Sequence, residues 1–153
     1  GGDWESGYVF ACHDLTREEC LRKGMFGAPS GMWGTVKGIE PGRTAIFLYD
    51  LGEAKLLGVF GARSPPQYNM DPSAWANARR GTQPKKQTSP YPAQVLVRIE
   101  AELPPLTALE YCAAIGGQGH RTENKHSITL TKKQTRAVVR AMEFKAAQIL
   151  GGY

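Results

Sequence analysis

Residues 45–62 read AIFLYDLGEAKLLGVFGA, and this stretch decides how the chain folds around it. AIFLYD and KLLGVFGA are apolar runs rich in β-formers, and the short LGEA segment that joins them predicts a β-hairpin. Gly58 and Gly61 interrupt the second run, which indicates a bulge or the close approach of another part of the chain. The sequence therefore predicts a sheet that contains this hairpin.

Three further segments have the pattern of strands. GYVFAC at residues 7–12 is mostly apolar and rich in β-formers. Residues 94–102 alternate, and residues 127–130 predict a short last strand. The alternating strand is expected to place three apolar side chains on one face: Val95, Val97 and Ile99.

Two helices bracket these strands. In the first, Thr16 and Glu19 have the T-x-x-E spacing of a capping box. Leu15 and Cys20 fit the hydrophobic staple around that box, and Gly24 predicts a left-handed stop.

The last helix is expected to start at Thr131, boxed with Gln134, and to end at Gly151. Its predicted core stripe is Val138, Met142, Ala146 and Ile149. Strands with a helix at either end predict an α+β domain of about five or six strands.

Two loops carry most of the remaining aromatic residues. Residues 24–34 (GMFGAPSGMWG) are too glycine-rich for a regular element, and we expect them to expose Met25, Phe26, Met32 and Trp33. Residues 64–92 predict a long, proline-rich connection, within which Asp71 and Pro72 indicate a capped helical turn ahead of Trp75.

Length and composition indicate one folded domain. The chain has 153 residues, of which 41% are hydrophobic and 22% charged. We expect residues 1–6 to be a linker or cloning remnant and residues 7–150 to form the domain. No apolar run is long enough to span a membrane. Three cysteines without paired spacing predict free thiols and no metal site, which is typical of the cytoplasm or nucleus.

Charge is divided unevenly along the chain. Residues 1–71 hold seven basic and nine acidic side chains, a net of −2, whereas residues 72–153 hold twelve and five, a net of +7. Such a basic half suits a polyanion, and a solvated helix face with a charged loop is the alternative. The candidate contacts to a nucleic-acid backbone are Arg79, Arg80, Lys85, Lys86, Lys125, Lys132, Lys133 and Arg136.

Signatures of catalysis are absent from the sequence. It contains no GxSxG, HExxH, P-loop or GxGxxG motif. His13, His120 and His126 lie in separate segments, and Cys12 and His13 are neighbours that a strand would point to opposite faces. We therefore expect a protein that is not an enzyme and that needs no cofactor.

Six short motifs occur in a fixed order between residues 26 and 99: FGAP, VKGIEPG, AIFLYDL, LLGVFGARS, YNMDPSAW and YPAQVLVRI. In this order they resemble the DCD (development and cell death) domain of plant and related proteins. The resemblance implies an interaction module that is attached to varied partner domains.

The order of elements is also similar to that of PUA-like domains, and among them of YTH domains, which read N6-methyladenosine in RNA. GMFG at residues 24–27 stands where a YTH domain has a Gly-apolar-Trp-Ser turn, and Trp75 falls in a loop comparable to the one with a second cage tryptophan. The resemblance implies a mixed PUA-like barrel with Phe26 and Trp75 as pocket walls. Its other candidate ligand residues are Trp33 and Tyr68 as reserves, and His13 and Asp14 on the polar floor.

Each aromatic residue also has a structural interpretation. Trp75 could anchor its loop, Phe26 could fill the core, and an exposed Trp33 would suit a protein partner as well as a base. Two functions follow from the sequence. One is binding of RNA or single-stranded DNA, which could involve a modified or flipped base, and the other is binding of a protein partner in stress or cell-death signalling. The oligomeric state stays open.

Overall fold

The computed structural model describes residues 3–76, 88–116 and 127–151. Eight strands and four helices follow one another in the α+β arrangement that the sequence predicts. The strands are β1 (Ser6–Cys12), β2 (Met25–Ala28), β3 (Thr44–Asp50), β4 (Lys55–Ala62), β5 (Gln67–Tyr68), β6 (Ala93–Ile99), β7 (Leu106–Thr107) and β8 (Ser127–Leu130). The helices are α1 (Arg17–Lys23), α2 (Trp33–Val36, after a 3₁₀ turn at Ser30–Met32), α3 (Ala108–Ala114) and α4 (Lys132–Leu150).

The predicted hairpin forms the centre of the sheet. The strand order is β2-β6-β4-β3-β1-β8, with β5 beside β6 and β7 beside β4. β3 and β4 are antiparallel, and their register shifts between Ile46 and Leu48, which confirms the bulge. A Cβ on Gly58 would lie 2.6 Å from the Phe47 ring, and one on Gly61 would lie 2.6 Å from the Glu100 carboxylate. The two glycines are therefore needed for close packing as well.

The curled sheet has a hydrophobic cluster on each side. The first cluster packs α1, β2 and the Trp75 loop against Phe10 and Ile46. The second packs α3 and α4 against Phe47 and Leu56. β1 contributes alternately to the two clusters, as a strand with both faces covered must.

Residues 24–34 differ from the expected open loop. Met25 and Phe26 belong to β2, where they pair with Leu96 and Val95, and both are buried. Pairing with β6 satisfies the backbone hydrogen bonds of this segment and makes it a strand despite its glycine-rich composition. Trp33 is half-buried at the start of α2.

The predicted capping box of α1 is wrong. The Thr16 hydroxyl bonds to the backbone of His13 rather than capping the helix, and Glu19 bonds to other partners. Leu15 is 46% exposed, so the hydrophobic staple does not form either. The predicted stop is confirmed, since Gly24 has φ 61° and its N–H donates to the Cys20 carbonyl.

The predicted start of α4 and its end at Gly151 are confirmed, whereas the predicted core stripe is corrected at Ile149. Thr131 and Gln134 form the predicted capping box, and Val138 and Met142 are buried. Ile149 is 63% exposed because the helix continues beyond the part of it that the core covers.

Helix α3 was not predicted, although a second capping box, Thr107 with Glu110, precedes it. Ile99 is 63% exposed at the end of β6, and not on the core face. All three cysteines are free thiols, as expected. No helix in the described part of the chain combines the length and apolar character that a membrane span requires.

Gly7 sets how closely α4 approaches the sheet. A Cβ at this position would lie 2.5 Å from Oγ1 of Thr135, which is held by its 2.7 Å hydrogen bond to the Thr131 carbonyl. We predict that Gly7→Ala lowers the free energy of unfolding by about 1–3 kcal/mol through overpacking. Gly31→Ala is the control, since nothing lies within 4 Å of its Cβ. Equal urea midpoints for the two variants would contradict the packing of α4.

Candidate functional site

A cavity of about 140 Å³ lies at the C-terminal ends of β1 and β3. α1, β2 and the loop that carries Trp75 enclose its other sides. The lining residues are Ala11, His13, Thr16, Cys20, Gly27, Pro29, Leu51, Trp75 and Tyr91.

Trp75 forms a wall that is fixed on several sides. Its side chain is only 1% exposed, and its backbone is in the left-handed region at φ 55°. A Cβ on Gly27 would lie 2.5 Å from the indole ring, so only glycine lets β2 pass beneath it. The Tyr91 ring meets the indole edge-on, with ring centroids 5.9 Å apart.

A carboxylate–ammonium network ties this wall to α1. The backbone N–H of Trp75 donates to Oε2 of Glu19 at 2.9 Å. Nζ of Lys23 lies 2.9 Å from the same oxygen and 2.8 Å from Oδ2 of Asp71. Hydrogen bonding to Lys23 lowers the pKa of Asp71, and the same bond raises the pKa of Lys23. We call Glu19, Lys23 and Asp71 the clamp.

Both ends of the loop are anchored as well. The buried Gln94 amide accepts from the Asp71 N–H at 2.8 Å and donates to its carbonyl at 3.1 Å. The Ser89 hydroxyl donates to the Ala74 carbonyl at 2.8 Å. Oδ1 of Asp71 also accepts from the Ser73 N–H, which confirms the predicted capped turn. The chain therefore leaves and returns beside the cavity.

His13 and Tyr91 supply polar atoms at the cavity. Nε2 of His13 lies 3.3 Å from the Tyr91 hydroxyl, and Nδ1 accepts from the Leu15 N–H at 3.2 Å. Because Nδ1 is the acceptor in this network, the neutral imidazole carries its proton on Nε2. The Tyr91 hydroxyl can then accept from His13 and donate to a ligand.

Two further groups are polar but buried. Burial raises the pKa of the Cys20 thiol to about 12, so the thiol stays neutral. The indole Nε1–H of Trp75 has no hydrogen-bond partner among the described residues. The nearby Cys20 thiol, whose pKa the indole partly lowers, is only a weak acceptor. An unpaired buried donor costs about 1–3 kcal/mol, which a ligand acceptor would recover.

Among the residues that the structure describes, the lining contains no Lys, Arg, Asp or Glu side chain. An ionised ligand group would lose its hydration there without a counter-charge. The cavity therefore suits a neutral, flat ligand that offers a hydrogen-bond acceptor.

The structure brings together some of the predicted ligand residues and not others. Trp75 and His13 both line the cavity. Phe26 lies in the core against Phe10 and Phe60, and its neighbour Gly27 lines the cavity in its place. Asp14 is exposed and is not in the lining.

Trp33 and Tyr68 contact each other outside the cavity. Thr16, Cys20 and Tyr91 were missed as lining residues. Of these, Tyr91 had a signal in the sequence, since it opens the last of the six motifs, YPAQVLVRI.

The cations of α4 lie far from the cavity. β8 is antiparallel to β1 and ends beside Gly7, so α4 begins at the opposite end of β1 from His13. Six residues of strand separate these ends by about 20 Å. Lys132 lies 3.4 Å from Glu5 and Arg136 lies 3.7 Å from Asp3.

The other predicted cations are distributed as follows. Lys133 is exposed on α4. Five lie outside the described residues: Arg79, Arg80, Lys85, Lys86 and Lys125.

Solved structures with this architecture define the class of fold. The YTH domain of Pho92, in complex with m6A, matches with a TM-score of 0.66 at 10% identity, over 91% of this chain and 86% of that one. The YTH domain of Zygosaccharomyces rouxii MRB1, in complex with N6-methyladenosine RNA, matches with a TM-score of 0.62 at 10% identity, over 92% and 88%. The chain thus has a PUA-like α+β fold.

The family follows from sequence. The profile of the Development and cell death domain matches residues 6–142, so the chain belongs to the DCD family. Over 100 residues it is 36% identical to the B2 protein of Daucus carota, a match that covers 65% of this chain and 45% of that relative. The chain therefore spans less than half the length of this relative.

The clamp generates a first prediction for the site. Glu19→Ala removes the acceptor of the Trp75 N–H, and we expect a loss of about 1–3 kcal/mol in the free energy of unfolding together with a red-shifted tryptophan emission. Glu18→Ala is the matched control, because Glu18 makes only an exposed pair with Arg22 in the described structure and should cost less than about 0.5 kcal/mol. Indistinguishable urea curves and emission spectra would contradict the role of Glu19.

A second prediction concerns pH. Because the folded-state pKa of Asp71 lies below its ordinary value of 3.8, its ion pair stabilises the fold fully above that value. This contribution is lost as the pH falls through the lowered folded-state pKa. Urea unfolding at pH 6 and pH 3 should show a larger acid loss for the wild type than for Asp71→Asn. An equal loss in both proteins would exclude the pair as a source of acid sensitivity.

Proposed function

We propose that this DCD domain is a binding module for single-stranded nucleic acid, RNA foremost, and that the cavity holds one unstacked base. The observation that carries the proposal is the buried Trp75 wall, whose indole N–H has no hydrogen-bond partner among the described residues, in a cavity whose described lining has no Lys, Arg, Asp or Glu. A nucleobase is neutral and flat, and it offers acceptors along its edge.

Aromatic and polar groups of the cavity would make different contacts with the base. The rings of Trp75 and Tyr91 offer the apolar contact, and stacking of this kind contributes roughly 1–3 kcal/mol per base. The Trp75 indole and the hydroxyl of Tyr91 offer hydrogen bonds to the base edge. None of the described lining residues is a Lys, Arg, Asp or Glu whose charge would have to be desolvated for the base to enter.

The phosphates would be met outside the cavity. In the sequence, residues 77–87 join the two loop ends that line the cavity, and they include Arg79, Arg80, Lys85 and Lys86 without an acidic residue. A basic composition of this kind suits contacts to the phosphates of a strand whose backbone remains in solvent.

The fold adds support, because the matched YTH structures are complexes with m6A or with N6-methyladenosine RNA. The floor of the cavity in this chain is built from Thr16, Cys20 and His13. The proposal therefore concerns a base and does not extend to a particular modification.

Fluorescence anisotropy with a labelled single-stranded RNA at two salt concentrations tests the proposal. We expect a dissociation constant below about 100 µM at low salt, and weaker binding as salt rises. Ala11→Leu should fill the cavity and abolish base-dependent binding, whereas Ala113→Leu, the same change on the exposed face of α3, should leave it unchanged.

Two results would contradict the proposal. One is the absence of binding by the wild type at low salt. The other is an equal affinity of Ala11→Leu and Ala113→Leu for the RNA. An abasic strand serves as the ligand control, since it keeps the phosphates and removes the base.

A protein partner is the second candidate. Four large apolar side chains of α3 and α4 are exposed, namely Leu109 at 83%, Phe144 at 66%, Ile149 at 63% and Leu150 at 72%. Such exposure suits a protein contact on the side of the sheet away from the cavity. The RNA titration separates the two candidates, because a protein-only module would show neither salt-dependent RNA binding nor an effect of Ala11→Leu.

A further inference from the structure

Trp33 and Tyr68 form an aromatic pair outside the cavity. Their ring centroids lie 5.6 Å apart at an interplanar angle of 72°, so the edge of one ring meets the face of the other. Tyr68 is 47% exposed and Trp33 is half-buried. An exposed pair of aromatic rings is costly to leave in water and is uncommon without a partner.

Tyr68 is linked to the cavity wall through its pairing with β6. Tyr68 is the Cα partner of Ala93, and the N–H of Asn69 donates to the Pro92 carbonyl at 2.6 Å. Tyr91, which lines the cavity, is two residues from Ala93. A strand spacing of about 5.5 Å and two residues of about 3.3 Å place the Cα atoms of Tyr68 and Tyr91 within about 12 Å.

Trp33, the second member of the pair, is linked to the cavity through the turn that precedes α2. Pro29 lines the cavity, and its carbonyl accepts from the Met32 N–H at 2.9 Å in the turn that leads into α2. Trp33 is the next residue. The pair is therefore linked to the cavity on both sides, through Pro29 before α2 and through Tyr91 before the strand that pairs with β5.

A cation lies beside the pair. The N–H of Lys37 donates to the Trp33 carbonyl at 2.9 Å, which puts the two residues one helical turn apart on the same side of α2. Lys37 is exposed and has no acidic partner within residues 3–76, 88–116 and 127–151. An aromatic platform with an adjacent free cation has the two groups that a nucleotide outside a duplex requires.

We propose that Trp33, Tyr68 and Lys37 form a second nucleotide subsite. It stacks a base a few nucleotides along the strand from the base in the cavity, while Lys37 contacts a phosphate. The inference rests on the proposed function, since it needs the same strand to occupy the cavity. A distance of about 12 Å corresponds to three or four nucleotides at the 3.4 Å spacing of a stacked strand, and to fewer in an extended one.

Ligand length and a matched pair of variants test the subsite. Anisotropy competition would compare a labelled hexanucleotide with a single nucleoside as ligands. Tyr68→Ala and Trp33→Ala should each weaken hexanucleotide binding by about 5- to 150-fold and leave nucleoside binding unchanged. Phe144→Ala is the control, because it removes an aromatic ring of similar exposure from α4. Tyr68→Ala keeps the test valid if Trp33→Ala fails to fold.

Salt dependence tests Lys37 separately. Lys37→Ala should reduce the slope of log affinity against log salt by about 0.7, the value for one phosphate contact on a single strand. An unchanged slope overturns the role of Lys37.

The outcomes distinguish this subsite from the cavity. If the wild type binds no oligonucleotide, the proposed function and the subsite both fall. If it binds and Ala11→Leu abolishes binding, while Tyr68→Ala matches Phe144→Ala, the cavity stands and the subsite is overturned. A loss of nucleoside binding in Tyr68→Ala also overturns it, because the pair would then only support the cavity.

Discussion

The hydrogen bond from the Trp75 backbone to the Glu19 carboxylate is the contact on which the candidate site depends. It joins α1 to a loop 56 residues further along the chain. Lys23 neutralises Glu19 and binds Asp71 at the same time, so one ammonium group holds two carboxylates that would otherwise repel each other. This link, together with the Lys23–Asp71 bond, fixes the left-handed Trp75 against α1 and so keeps one wall of the cavity in place. The polar network thus fixes the position of an apolar wall of the cavity.

The fold separates this site from the most basic helix. The cavity lies at one end of β1, whereas the first turn of α4 lies at the other, where Lys132 and Arg136 meet Glu5 and Asp3. A run of basic residues in a sequence is therefore not by itself a basic surface, because a distant segment can supply the acids. Around the cavity the described groups are aromatic and neutral, which suits a base better than a phosphate.

Sequence patterns predicted those elements that are specified by residues close together in the chain. The hairpin, β1 and α4 have clear periodicity, turn residues or a capping box, and the structure confirms them. β2 was missed because its stability comes from pairing with β6, about 70 residues away. Glu19 was taken for a helix cap because its i, i+3 spacing from Thr16 is visible in the sequence, whereas its partner Trp75 is distant. A hydrogen bond from a distant backbone N–H and an ion pair with Lys23 engage Glu19 instead of the local cap.

The candidate site was predictable in part for the same reason. Trp75 and His13 came from motif resemblance and do line the cavity. The motif located the correct segment, but the cavity is lined by Gly27 and not by the predicted Phe26. Adjacent residues of a strand face opposite sides, so Phe26 points into the core. Tyr91, Thr16 and Cys20 converge only in the folded chain.

The most direct test is the amide and indole ¹H–¹⁵N correlation spectrum of the protein during titration with a single-stranded RNA. The chain has three tryptophans, and therefore three indole Nε1–H signals. If a base enters the cavity, the Trp75 signal shifts downfield as its unpaired N–H gains an acceptor, while that of Trp4, buried in the second cluster, stays in place. A Trp75 signal that does not move while the RNA binds would show that the nucleic acid is held elsewhere.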